Sequence, residues 1–176
     1  MSFEADVVGL LPQLRRFARA LTGDRAWADD LVQDTAERAL TRVRAFRPDS
    51  NLKAWLLTIL RHLYIDQLRR GRHEIVVDEE SAPWNTLEMP RGDVDSLTLR
   101  DVERALYRLP LEQREVLLLV CVEELSYQDV SSALNVPMGT VMSRLSRARE
   151  HMRTLLAEGT PQRLASVKAM RGADER

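Results

Sequence analysis

Aromatic residues make up only 5% of this 176-residue chain, which has one cysteine, seven glycines and seven prolines. One thiol excludes a disulfide scaffold. Cys121 lies in the apolar run Val116 to Val122, where it is expected to be a buried packing residue of a protein kept in a reducing cytoplasm. That run is the longest uninterrupted apolar stretch, far too short to cross a bilayer, and no signal peptide is seen. A glycine-rich phosphate loop is missing. His62, His73 and His151 are scattered without ExxH or HExxH spacing, and His62 with Asp66 one turn later reads as a surface pair rather than a metal site. Neither a metal nor another cofactor is therefore expected, and the chain does not read as an enzyme. Scarce Gly and Pro beside pervasive helical periodicity predict an all-α protein.

A dominant charge is lacking too, since 26 basic and 27 acidic residues leave −1. Divided along the chain, the balance is uneven. Residues 1–72 hold 13 basic and 9 acidic side chains, 73–95 hold 1 and 7, 96–157 hold 8 and 8, and 158–176 hold 4 and 3. The segment 73–95 also has two prolines and little periodicity, so it reads as a flexible acidic linker between two small helical domains, 1–72 and 96–157. Residues 158–176 are expected to form a poorly ordered tail or a short extra helix.

What is present is concentrated in Ser126 to Arg149. Ser126 with Asp129 three residues on forms an N-cap pair, and Val130, Ala133 and Leu134 give the following helix its buried stripe. Asn135 suits the break, and Pro137 suits the first position of a second helix. In that helix Val141, Leu145, Ala148 and Met152 recur at helical spacing and must face inward. At about 100° per residue, Gly139, Ser143, Ser146 and Glu150 then point outward. Met142 lies on one shoulder and Thr140 and Arg147 on the other, while Arg144 and Arg149 flank the buried stripe within reach of phosphates. Small residues at the outward N-terminal end allow close approach to base edges, as in a major-groove recognition helix.

The first unit shows three candidate helices. Val7, Leu10, Leu11, Leu14, Phe17, Ala18 and Leu21 stripe the first, which Thr22, Gly23 and Asp24 terminate. A second runs from about Ala26 to Ala45, with Val32, Ala36, Ala39, Leu40 and Val43 on its apolar side. Asp29, Asp30, Gln33, Asp34 and Glu37 form its polar side, with the carboxylates concentrated towards one end. The third, Leu52 to Arg70, buries Leu57, Leu60, Tyr64 and Leu68 and offers Lys53, Arg61, His62, Arg69 and Arg70 to a partner. Trp55 and Tyr64 interleave with these cations, a pattern suited to single-stranded nucleic acid, although core packing is the readier reading of Tyr64. The loop Phe46 to Asn51 is rich in hydrogen-bonding groups and is a candidate cradle for a base.

Three blocks together resemble the extracytoplasmic-function (ECF) sigma factors, small sigma-70 relatives that keep only regions 2 and 4. They are Trp27-Ala28-Asp29-Asp30-Leu31-Val32-Gln33-Asp34-Thr35; Leu52-Lys53-Ala54-Trp55-Leu56-Leu57-Thr58-Ile59-Leu60-Arg61 with Ile65 to Arg70; and Leu109-Pro110 through Arg149. The resemblance covers roughly residues 3–157. It implies that Asp29, Asp30, Gln33 and Asp34 dock on bacterial core RNA polymerase. It implies that Arg47, Asn51, Lys53, Trp55, Arg61, His62 and Arg69 melt the minus-ten element and hold its single strand. Thr140, Met142, Ser143, Arg144, Ser146, Arg147 and Arg149 would read the minus-thirty-five duplex, and the linker would thread the polymerase towards its RNA exit path. Two positions depart from the pattern: His62 stands where Asn is common, and Met142 where Lys or Arg is common.

Those partners imply a mechanism without nucleotide hydrolysis. The free chain, with no large basic surface, is expected to bind duplex DNA weakly, and polymerase would fix the spacing of the two DNA-reading units. Stacking contacts of about 1–3 kcal/mol each would offset unpairing. An anti-sigma factor is the expected regulator, seated in an apolar groove between the two units. An ordinary helix-turn-helix regulator acting without polymerase is the competing reading, and it leaves Asp29 to Asp34 unexplained.

Overall fold

The computed structural model describes residues 2–71 and 96–171, with side chains for 2–71 and 101–158; the linker expected over 73–95 lies outside them. The chain starts its first helix, α1 (Phe3–Thr22), with Ser2, whose hydroxyl accepts from the Ala5 N–H at 3.3 Å. Gly23 ends it at φ +71°, its N–H returning to the Arg19 carbonyl, and Asp24 immediately caps α2 (Arg25–Thr41) through the Trp27 N–H. After a 3₁₀ turn at Val43–Ala45, Asn51 caps α3 (Leu52–Arg69) by accepting from the Ala54 N–H at 3.1 Å.

These three helices bury the expected stripe of α1 at Val7, Leu14, Phe17, Ala18 and Leu21, with Leu10 and Leu11 half-buried. From α3 come Leu57, Leu60 and Tyr64, each worth about 1.5–3 kcal/mol of burial. Leu68 is only partly covered. Tyr64 is core, with its ring centroid 5.1 Å from that of Trp27, and Trp27 donates Nε1–H to Gln67. Burial pushes the Tyr64 hydroxyl up to about 12, so it stays neutral. The second helix is shorter than predicted. Thr41 folds its hydroxyl back on the Glu37 and Arg38 carbonyls, the helix stops there, and Leu40 and Val43 stand exposed instead of joining the core.

The second unit comprises α4 (Ser96–Arg108), α5 (Leu111–Leu117), a π-helical turn at Leu118–Val122, α6 (Tyr127–Leu134) and α7 (Met138–Arg171). The π turn adds one residue to the winding, with the Glu123 N–H reaching back to the Leu118 carbonyl at 2.9 Å. Its consequence corrects one expectation: Cys121 is exposed, not buried, and Val122 beside it is also exposed. Beyond residue 157 the backbone continues α7 to Arg171 instead of beginning a separate tail helix.

The apolar core is continuous across both units, joining Leu56, Leu57 and Leu60 to Val116, Leu119 and Val130. Polar contacts stitch the same junction. Arg114, almost wholly buried in α5, donates to the Leu21, Tyr107 and Leu109 carbonyls, and the Tyr107 hydroxyl donates to the Arg19 carbonyl at 2.7 Å. The C-terminal carbonyls of α1 are thus satisfied by a cation and a phenol from the second unit, the favourable sign for a helix end.

Candidate nucleic-acid interface

The α6–α7 pair is built from local chemistry. Ser126 accepts from the Asp129 N–H at 3.0 Å, Val130, Ala133 and Leu134 are buried, and Asn135 turns the chain in the left-handed conformation at φ +53°. Ser131 then ties the turn by donating to the Val136 carbonyl at 2.6 Å. Helix α7 begins at Met138, one residue later than predicted, because the Pro137 carbonyl accepts the first helical bonds from Thr140 and Val141 and Pro137 serves as the cap.

Along α7, Val141, Leu145 and Ala148 are buried and Met152 is half-buried, so the inward stripe falls where spacing placed it. Gly139, Met142, Ser143, Ser146, Arg147 and Arg149 are exposed, and Thr140 is half-buried. Arg147 lies along the helix, donating to the Ser143 carbonyl and hydroxyl at 3.3 Å each. Arg144 differs from expectation. Its side chain is 17% exposed and turns back to Glu112 of α5 at 3.1 Å, away from a solvent-facing phosphate-reaching position. Arg149 leans towards the Cys121 sulfur at 3.9 Å.

The carboxylate cluster of α2 also divides. Asp30, Gln33 and Asp34 are exposed, whereas Asp29 is half-buried and pairs with Arg15 and Arg19 of α1 at 3.7 and 3.8 Å. On and before α3, Arg47, His62 and Arg69 are exposed. Trp55 is half-buried in a cluster with Phe46 and Phe3, at centroid distances of 5.3 and 6.3 Å, which anchors the loop Phe46 to Asn51.

The remaining three residues assigned to this face point at the second unit. Asn51 Nδ2 donates to Asp129 at 3.2 Å. Lys53 donates to the Glu123 carbonyl, with its Nζ 3.7 Å from the Glu123 carboxylate. Arg61 grips Glu115 with two bonds, at 2.9 and 3.3 Å. Arg16 of α1 grips Glu123 likewise, at 3.1 and 3.0 Å. The two glutamates are essentially sealed, at 1% and 0% exposure. Desolvation pushes the Glu115 carboxyl up, opposed by the neighbouring Arg61 and Arg144.

Sequence reading passed over Glu115, Glu123, Arg114 and Tyr107. A usable signal existed, since Glu115 shares a helical face with Leu118 and Leu119 inside a largely apolar segment. Ion pairs lie at the junction between the units, where an apolar groove was expected. An apolar trough of about 400 Å³ lies instead on the second unit, lined by Val102, Leu106, Leu117, Cys121 and Met152 among others.

Comparison with known proteins matches two stretches of the chain to family models. Residues 7–61 match the family described as the Sigma2 domain of PhyR, and residues 99–152 match Sigma-70, region 4. The chain is 41% identical to the ECF RNA polymerase sigma factor EcfG of Rhodopseudomonas palustris (strain TIE-1) over 155 residues, covering 88% of this chain and 85% of that one. It is 32% identical to the ECF RNA polymerase sigma factor SigC of Mycobacterium tuberculosis (strain CDC 1551 / Oshkosh) over 160 residues, 91% of this chain and 84% of that one. Among solved structures, the sigma factor RpoE from Bartonella quintana, in complex with the anti-sigma factor NepR, superposes with a TM-score of 0.72 at 35% identity. That match covers 88% of this chain and 96% of that one.

Proposed function

The chain belongs to the ECF sigma factors of bacterial RNA polymerase, and from that premise we propose how its surfaces divide the work of starting transcription. The second unit, residues 96–157, presents α7 to the minus-thirty-five duplex. Gly139, Ser143 and Ser146 allow the approach, and Thr140, Met142 and Arg147 face base edges. Arg144 and Arg149 lie towards the flanking phosphates, and Arg144 must leave Glu112 to reach one. Met142, 48% exposed, offers a thymine methyl an apolar contact where a cation would have offered a hydrogen bond.

The first unit, residues 1–72, docks on core polymerase through Asp30, Gln33 and Asp34, with Asp29 held against α1 as the base of the cluster. Its loop Phe46 to Asn51 receives an unstacked base, and Arg47, Lys53, Trp55, Arg61, His62 and Arg69 follow the melted strand. Capture supplies the driving force: each stacked base contributes about 1–3 kcal/mol, comparable with the cost of unpairing it. The acidic segment 73–95 spans the polymerase between the two elements. Such a protein acts in the cytoplasm, where polymerase is, and no described helix is long and apolar enough to cross a membrane. An anti-sigma protein is the proposed regulator. The solved complex of the Bartonella relative supports that partner, and the trough beside Cys121 is the apolar surface on which we place one of its helices.

The observation that carries this reading is the capped α6–α7 pair with a small, polar, arginine-bearing outer face, in one chain with an exposed acidic patch on α2. Its test mixes the purified chain with bacterial core polymerase and follows co-elution and selection from a genomic promoter library, with each protein alone as control. Selection in the mixture only is expected. Selection of duplex DNA by the chain alone, with no core association, would make it an ordinary regulator.

A further inference from the structure

Three groups on the strand-melting face of the first unit are already occupied: Asn51, Lys53 and Arg61 contact Asp129, Glu123 and Glu115 of the second unit. Asn51 and Arg61 donate to carboxylates, and Lys53 donates to the Glu123 carbonyl with the Glu123 carboxylate 3.7 Å from its Nζ. An arginine grips a carboxylate and a phosphate with the same two-pronged geometry, so Glu115 holds Arg61 much as a strand phosphate would. Arg16 holds Glu123 from the other side, which fixes that carboxylate beside Lys53.

The backbone bearing these carboxylates is specialised for the task. The π turn ends at Glu123, whose N–H returns to the Leu118 carbonyl and whose carboxylate lies in the junction, and Glu124 directly after it adopts φ +54°, a conformation that non-glycine residues rarely take. A plain α-helical turn would need neither feature. Two carboxylates are thereby sealed from water at a junction that apolar residues could have filled more cheaply. Buried ionic contacts of this kind suit a joint that must open.

From this arrangement we propose that the second unit is an intramolecular, DNA-mimicking inhibitor of the first: Glu115, Glu123 and Asp129 occupy the strand-binding groups until polymerase and promoter pull the units apart. This inference rests on the assignment of Lys53 and Arg61 to the melted strand. Opening exposes the cations for phosphate and returns the carboxylates to water, so one movement both frees the strand site and releases α7 to seek its own element. In the closed form the competent state is a minority, and apparent affinity for a strand falls by its population.

The test measures binding of a fluorescent, random-sequence single-stranded DNA 12-mer to the full chain. Glu115→Gln with Glu123→Gln keeps side-chain shape but weakens the latch, and should tighten binding about tenfold; Lys53→Gln with Arg61→Gln, added to it, should abolish the gain. Arg16→Gln is a second opening variant, at a half-exposed side chain outside the proposed strand site, and should also tighten binding. It decides the matter if the double glutamine variant does not fold. Unchanged affinity in a folded opening variant overturns the inhibitor. The underlying assignment is read separately, by promoter melting in the holoenzyme. If Lys53→Gln with Arg61→Gln melts a promoter normally, the strand assignment itself fails; if melting is lost while the opening variants change nothing, only the inhibitor fails.

Discussion

Replacing Gly23 by alanine tests the junction between the two units at one atom. Gly23 ends α1 at φ +71°, in the left-handed region that costs a residue bearing a Cβ about 1–2 kcal/mol. The added Cβ would also stand 3.1 Å from Cε1 and 3.4 Å from Cζ of the Tyr107 ring. That ring has little room to yield, because its hydroxyl is bonded to the Arg19 carbonyl and the Arg114 guanidinium carbon lies 5.1 Å from its centroid. Overpacking against a fixed neighbour costs about 1–3 kcal/mol, so the two terms together come to about 2–5 kcal/mol. In a chain of this size each kcal/mol lowers Tm by roughly 2–4 °C. Urea unfolding followed by far-ultraviolet circular dichroism measures the total, and repeating the substitution in a Tyr107→Ala background divides it. The backbone part should remain at about 1–2 kcal/mol and the steric part should vanish. Equal costs in both backgrounds would refute the contact between α1 and α4, and no cost in either would refute the left-handed end of α1.

In the assembled holoenzyme, Arg147→Ala should weaken binding to the minus-thirty-five duplex by about 1–3 kcal/mol and leave co-elution with core unchanged; lost co-elution would refute the division of roles. Arg144→Ala should matter less in the free protein's stability, since its pair with the largely exposed Glu112 is worth at most about 1 kcal/mol, as denaturant titration would show. Asp30→Ala with Asp34→Ala should reduce core affinity about tenfold or more while duplex selection by whatever holoenzyme forms is retained; fluorescence titration against core would expose an unchanged affinity. Burial raises the Glu115 carboxyl above its ordinary value, so its protonated form favours the folded state. Stability should therefore be gained relative to Glu115→Gln as pH falls from neutrality through the raised value, and the gain should be complete below the ordinary carboxylate range. A difference in Tm between the two proteins that stays flat with pH would contradict this.

Local rules made much of this molecule readable in advance. Gly23 and Asp24 punctuate α1 and α2 through chemistry confined to four residues, and Ser126, Asn135 and Pro137 do the same for the α6–α7 pair. Periodicity placed Val130, Val141 and Leu145 inward because an unbroken helix keeps its register. Cys121 reads as buried from its apolar run alone, which carries no register; it stands exposed within the π turn, and no residue type announces such a turn. Glu115 and Glu123 were passed over because charge ordinarily marks a solvated surface, and their partners Arg61, Arg16 and Lys53 lie 54 to 107 positions away along the chain. Leu40 and Val43 follow the helical pattern yet find no core: Leu40, next to last in α2, is exposed, and Val43 lies beyond the end of the helix at Thr41.

The ring cluster of Phe3, Phe46 and Trp55 gives the loop proposed to hold a base an optical signature. Trp27 is sealed between α2 and α3 with its indole N–H bonded, so its emission should report the interior and ignore ligands. Trp55 touches the first residue of the loop and is partly open to solvent, so a base entering beside Phe46 changes the polarity and quenching around that indole alone. With Trp84 replaced by phenylalanine, the chain carries its own pair of dyes, one a silent internal standard and the other a gauge of strand capture in real time.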